Sequence, residues 1–259
     1  MGNIALSIQD VSKVFTINKQ DLKVLNNISL DVSDGEFVSI VGASGCGKST
    51  LLRIVAGLET ATNGSVEFNG EKVTGPSSNC KMIFQESRLF PWLDVESNVG
   101  FGLDRSVSKD EKRKKAAHYI DLVGLKGFEK AHPKQLSGGM QQRVSIARSL
   151  ISDPRLVLLD EPFGALDALT KIHMQHEIQR IRQQEKKTMI LVTHDIDEAV
   201  YLSDRIVVLS ERPGSVRQIV SVDLGHPRDR GDDSFTYYKN KILRQFFTKE
   251  KGADPDYVI

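Results

Sequence analysis

Apolar and polar positions alternate along Ala5–Val14 and again along Ile28–Val32, the period of two that a half-buried strand requires. The polar stretch Asn18-Lys19-Gln20-Asp21 separates the two segments, and Asp34-Gly35 supplies a turn. Phe37–Val41 is a continuous apolar run, which predicts a strand buried on both faces. Beyond a glycine-rich stretch, Leu51, Leu52, Ile54, Val55 and Leu58 fall at helical spacing, with Gly57 and Asn63-Gly64 predicted to end the helix in a turn. Ser65–Phe68 and Lys81–Phe84 are further strand segments.

From Val95 to about Ser152 the period becomes helical. Asp110–Leu122 places Ala116, Ala117, Ile120 and Leu122 behind a charged start, and Val144, Ala147, Leu150 and Ile151 form the apolar face of another helix. Leu156–Leu159, Met189–Val192 and Ile206–Leu209 predict buried strands, with a helix over Ile172–Gln184 carried by Met174, Ile178 and Ile181. Strands alternating with helices imply a mostly parallel sheet. The helical block at about 88–155 reads as an insertion into it, and the chain after about 225 as a polar segment too short for a further domain.

Composition narrows the class without naming a function. The 259 residues are 39% hydrophobic and 27% charged, which excludes collagen-like, disordered and disulfide-framework chains. No apolar run approaches the 18 residues of a membrane span. Thirty-five basic against 34 acidic residues leave a net charge of +1, which argues against a dedicated nucleic-acid binder. Lys109–Lys115 is read as a solvated helix turn. The start of the chain lacks the basic-then-apolar pattern of a secretory signal, and Cys46 and Cys80 form neither a metal nor a disulfide spacing, so a reducing cytoplasmic setting is expected.

Chemistry enters at Gly42-Ala43-Ser44-Gly45-Cys46-Gly47-Lys48-Ser49-Thr50, which fits G-x-x-x-x-G-K-[ST] with a strand before it and a helix after. The glycines let successive backbone N–H groups point inward at anionic oxygens, and the helix N-terminus adds its positive end. Lys48 is suited to the β- and γ-phosphates of a nucleotide and Ser49 to Mg²⁺. Asp160 and Glu161 follow the apolar run Leu156–Leu159, at the strand end where parallel sheets bind ligands. Adjacent strand residues point opposite ways, so the two acids are expected to differ in role. Asp160 is assigned to Mg²⁺, and Glu161 to general base or water positioning. Leu136-Ser137-Gly138-Gly139-Met140-Gln141-Gln142-Arg143 is a second glycine-bearing helix start suited to anions, which suggests a composite site.

In the order and spacing of these motifs, over residues 4 to about 225, the chain resembles the ATP-binding subunits of ABC transporters. The resemblance implies an α/β fold: a P-loop NTPase (RecA-like) core with a mostly parallel sheet, an N-terminal antiparallel β subdomain and an inserted α-helical subdomain. It implies an ATP-binding domain over residues 4–230 and a short polar tail over 231–259. It makes Gln85 the Q-loop glutamine at Mg²⁺ or the attacking water, and His194 the switch histidine at the γ-phosphate. Asp167 becomes the D-loop aspartate at a dimer interface, and Phe15 the aromatic that stacks on adenine. Two copies, or two paired cassettes, are then expected head to tail, Lys48 of one and Ser137, Gly138 and Gly139 of the other holding one ATP with Mg²⁺.

The resemblance further implies transmembrane permease subunits, a separate substrate-binding protein, no nucleic-acid partner, and a peripheral place on the cytoplasmic face of the membrane. Phe84–Val95 with Asn98 and Val99 resembles the surface that meets the permease, Phe90, Trp92 and Leu93 being its apolar part. Leu89-Phe90-Pro91-Trp92-Leu93, Arg212-Pro213-Gly214 and the lack of a regulatory C-terminal domain are similar to the nitrate, sulfonate and taurine branch of bacterial importers, features that bicarbonate importers and several importers of small organic precursors share. An exporter ATPase, a soluble ABC-type ATPase and a regulatory nucleotide binder without turnover are the alternatives. Cys46 reads either as an inert, packed residue or as a thiol activated by the helix N-terminus.

Overall fold

A computed structural model describes residues 3–247. β1 (Ile4–Ile17) and β2 (Gln20–Ser33) form a long hairpin closed by Asn18 and Lys19, both at positive φ (52° and 63°) as a two-residue hairpin turn of this hand requires. Both strands are longer than predicted. Register shifts between Ile8 and Val11 and between Val11 and Val14 break the alternation that would have shown their full length. Asn63-Gly64 is not a turn after the first helix; it begins β4 (Asn63–Phe68), which pairs antiparallel with β1, and β5 (Glu71–Lys72) completes a four-stranded sheet in the order β2-β1-β4-β5.

The second sheet has six strands in the order β10-β9-β3-β8-β7-β6. It comprises β3 (Phe37–Val41), β6 (Cys80–Ile83), β7 (Leu156–Asp160), β8 (Thr188–Val192), β9 (Arg205–Leu209) and β10 (Val216–Ser221). Every pairing except β9–β10 is parallel. The inner strands β3, β7 and β8 are covered on both faces and buried along their whole length, which is why they read as near-continuous apolar runs. Val157 and Leu159 of β7 join a core with the helices, and Leu156 and Leu158 join one with the hairpin sheet and α1 (Lys48–Val55).

Between adjacent β6 and β7 the chain makes α2 (Val95–Gly100), α3 (Lys109–Leu122), a single 3₁₀ turn at Pro133–Gln135 and α4 (Gly138–Leu150). α5 (Ala168–Glu185) starts a turn earlier than the sequence pattern suggested, because Asp167 caps it by accepting from Thr170 N at 3.0 Å. Short α6 (Ile196–Leu202) and edge strand β10 were not anticipated.

The polar-tail expectation is corrected as far as residue 247. Asp233–Phe247 forms α7, whose Phe235 and Ile242 are buried in the helical-side core. The rest of that expectation, 248–259, lies outside the described residues. No helix among the described residues is long and apolar enough to cross a membrane.

Candidate active site

Four parallel strands end on one rim. β3 leads into Gly42–Thr50, β6 into Gln85, β7 ends at Asp160 before Glu161, and β8 leads into His194. Register sets their order, since Val192 of β8 lies between Ile40 of β3 and Asp160 of β7.

The glycine-rich loop is shaped by close approaches. Gly47 sits at φ 105°, and a Cβ there would stand 2.6 Å from Leu25 Cδ2. A Cβ on Gly42 would meet Cys46 Sγ at 2.8 Å. Lys48 is buried and folds back on its own loop, donating to Gly42 O (2.9 Å) and Ala43 O (3.0 Å). α1, α4 and α5 carry no acidic residue in their first turns, whereas α2, α3 and α6 do.

Ser49 Oγ donates to Asp160 Oδ1 at 2.7 Å. Burial pushes the Asp160 carboxyl up, against the Ser49 hydrogen bond and the nearby Arg53 and Lys48 charges. Glu161 receives Gln85 Nε2 at 3.3 Å on one oxygen and faces His194 Nδ1 at 3.2 Å with the other. Glu161 also sits at φ 45°, a backbone state that a non-glycine residue holds at a cost of about 1–3 kcal/mol. Gln85, Glu161 and His194 thus form one cluster at the mouth of the loop. A cleft of ≈ 310 Å³ there is lined by Ser44, Gly45, Gly47, Lys48, Ser49, Thr50, Gln85 and Glu161, together with Val24, which sequence reasoning missed. Its signal was weak: one apolar residue in a strand.

Other predicted residues stand apart from this cleft. Ser137 and Gly138 are exposed, and Ser137 caps α4 by accepting from Met140 N at 3.2 Å. A Cβ on Gly139 would lie 3.2 Å from Ala165 O, so this segment packs on the loop before Asp167, which is itself exposed. Phe15 is half-buried, with Lys13 Nζ 4.7 Å above its ring. Within one chain, then, Ser137–Gly139 and Asp167 do not line the cleft.

Contacts absent from the sequence reading connect the parts. Gln142 is buried and donates to Phe84 O at 2.9 Å, while Arg148 donates to Ser87 O at 3.1 Å, so α4 holds the segment that carries Gln85. Gly214 lies behind the phosphate loop, where a Cβ would come within 2.2 Å of Cys46 O. Arg212-Pro213-Gly214 therefore braces that loop. Cys46 is 1% exposed, which selects the packed reading over the reactive one. Val95, Asn98 and Val99 are corrected from surface to buried residues: the two valines join the helical-side core, and Asn98 accepts from Phe90 N at 2.9 Å and donates to the carbonyls of Phe90, Leu93 and Asp94. Trp92 (71%) and Phe101 (62%) remain exposed beside it.

A family model for ABC transporters matches residues 25–164, from β2 through the glycine-rich loop and α4 to just past Glu161. The chain belongs to the ABC transporter family. Relatives in the family resemble it along nearly their whole length. An ABC transporter ATP-binding protein of Methanocaldococcus jannaschii is 51% identical over 93% of this chain and 90% of that one. An aliphatic sulfonates import ATP-binding protein of Bacillus subtilis is 47% identical over 98% of both chains. A nitrate import ATP-binding protein of Synechocystis is 45% identical over 93% and 91%. The dimeric structure of a bacterial ABC transporter cassette superposes with a TM-score of 0.79 at 32% identity, over 85% of this chain and 100% of that one. A dimeric ATP-binding cassette in a post-hydrolysis state with ADP and Pi gives 0.78 at the same identity and coverage. As an ABC ATP-binding protein, the chain is an ATPase coupled to transport.

Proposed function

We propose that this ABC ATPase powers an importer of a small oxyanion of the sulfonate or nitrate class, as a peripheral subunit on the cytoplasmic face of the membrane. Its partners are transmembrane permease subunits and a separate substrate-binding protein. The import assignment is supported by near-full-length similarity to import ATP-binding proteins for sulfonates and nitrate.

The observation that carries the catalytic reading is the Gln85–Glu161–His194 cluster at the mouth of the Lys48 cradle. Lys48, the loop amides and the start of α1 would hold the phosphates of ATP, with Phe15 and Val24 on the base side. Ser49, Asp160 and Gln85 present only oxygen donors to a cation, which suits Mg²⁺. Among the described residues no group of three or more His, Cys, Asp or Glu side chains could hold a metal by itself. When bound, Mg²⁺ neutralises charge on the phosphates. Glu161 accepts a proton from, or orients, the attacking water, and His194 holds Glu161 and meets the terminal phosphate. Ser137, Gly138, Gly139 and Asp167 complete the site from a second cassette, head to tail, because they stand away from the cleft of their own chain. The permease meets exposed Trp92 and Phe101, which pack on half-buried Phe90, beside a ≈ 600 Å³ groove that Phe101 lines and that runs to Lys109 and Arg113 of α3.

The test is reconstitution with the permease and binding protein in liposomes. ATP hydrolysis is expected to rise when the binding protein is loaded with an alkyl sulfonate or nitrate, with the anion accumulating on the side opposite the binding protein. Uptake of neither anion, with hydrolysis indifferent to both, would remove the substrate assignment. Failure of the chain to associate with any permease would remove the transport role.

A further inference from the structure

His194 sits on a loop whose neighbours are tied to a different element. Thr193, just before it, is buried and donates from Oγ1 to Glu198 Oε2 at 2.7 Å. Asp195, just after it, donates its N–H to the same Thr193 oxygen at 3.0 Å and caps α6 by accepting from Asp197 N at 2.9 Å. One cation closes this ring. Lys171 Nζ lies 2.7 Å from Asp195 Oδ2 and 2.6 Å from Glu198 Oε1.

Glu198 is 5% exposed at its side chain, so its carboxylate needs a partner, and Lys171 and Thr193 supply both oxygens. Burial works against the Lys171 ammonium, yet its bonds to Asp195 and Glu198 carry its pKa above that of ordinary lysine. Burial likewise opposes the Asp195 carboxylate, and Lys171 pulls it below its usual value, whereas at Glu198 burial outweighs Lys171 and Thr193 and pushes the carboxyl up.

Lys171 does not come from this loop. It lies in the first turn of α5, and its backbone N–H makes the helix's opening bond to Asp167 O at 2.8 Å. One helical turn therefore joins Asp167, on the exposed face proposed to meet a second cassette, to the residue that clamps both flanks of His194.

We propose that Lys171 is a positioning residue for hydrolysis: held between Asp195 and Glu198, it fixes the loop that presents His194 to Glu161 and ties that loop to the helix capped by Asp167. This rests on the reading of Glu161 and His194 as the groups that attend ATP hydrolysis. Lys171 touches neither the nucleotide cleft nor Glu161. Its loss frees the His194 loop, and sub-ångström to ångström displacement of such a group costs about ten- to a hundredfold in turnover.

Two readouts test it on the full chain. In Lys171→Met, kcat for ATP is expected to fall by about ten- to a hundredfold with KM within twofold, and Lys171→Arg is expected to restore kcat to within about threefold, since a guanidinium can also bridge two carboxylates. The second readout is the imidazole NMR signal of His194, assigned by its disappearance in His194→Ala. It should shift in Lys171→Met and return in Lys171→Arg. An unmoved imidazole signal overturns the proposal whether or not the protein turns over, and so does an unchanged kcat in Lys171→Met. A joint rise in KM and fall in kcat that arginine does not reverse marks a merely structural role and overturns it too. Absence of hydrolysis by the parent protein counts against the preceding functional reading instead, and the imidazole shift still decides the role of Lys171.

Discussion

Glu161 holds two neighbours and an unfavourable backbone angle at once. Its oxygens are engaged separately by Gln85 at 3.3 Å and His194 at 3.2 Å, at φ 45°. An isosteric amide keeps the shape and the strain but removes the group that takes a proton. Glu161→Gln is therefore expected to lower turnover by at least about a hundredfold while nucleotide affinity stays within a few-fold, read by steady-state phosphate release beside equilibrium binding of a fluorescent ATP analogue. A turnover within threefold of the parent would take Glu161 out of its role. At this scale the sequence was most informative: a loop, a strand end and a histidine each announced themselves by residue type and spacing. It did not show that Glu161 joins Gln85 to His194, because that contact is made by three strand ends brought together from positions 76 and 33 residues away.

Between elements, ion pairs set how the hairpin sheet sits on α1. Lys13 of β1 is nearly buried and reaches past the end of α1 to Glu59 Oε1 and Thr60 O, both at 2.7 Å, while lying over the ring of Phe15. The hydrogen bond from Lys13 is the main force holding the Glu59 carboxyl below its ordinary value, with burial opposing it. A carboxylate whose pKa is depressed on folding contributes stability that is complete above its unfolded value, about 4.3, and that is lost as pH falls through the lower folded value. The melting-temperature gap between the parent and Glu59→Gln should thus be constant well above the unfolded value of about 4.3 and close as pH falls below it through the lower folded value. Parallel curves down to pH 3 would contradict the assignment. The buried strands were legible because their apolar runs are unbroken. The hairpin was only half legible because bulges cut its alternation, and α7 was missed because polar composition concealed Phe235, Tyr238, Ile242 and Phe246 at spacings of three, four and four. Asp195 and Glu198, three apart, are a cap signature for α6, but its seven residues are too few to show a helical period.

At the scale of the whole molecule, the surface is built for incompleteness. One rim carries the Lys48 cradle, and a separate face carries the capped start of α4 with Ser137 and Gly138 exposed beside Asp167. No acidic residue stands in the first turn of α4, which Ser137 caps. In the proposed head-to-tail pair one nucleotide would bridge two such faces, ATP acting as the adhesive between copies and hydrolysis as the release. Glu161→Gln loaded with ATP is then expected to sediment as a dimer and the nucleotide-free form as a monomer. Adding Gly139→Val separates gripping from closing. The new side chain starts only 3.2 Å from Ala165 O, at a residue that does not line the Lys48 cleft. The double variant should bind ATP as a monomer with affinity within about threefold of the parent chain, melt within a few degrees of it, and fail to dimerise at any ATP concentration. Dimers that persist with Gly139→Val in place would mean that the α4 face does not hold the partner's nucleotide, and the head-to-tail arrangement would have to be abandoned even with the Lys48 cradle intact.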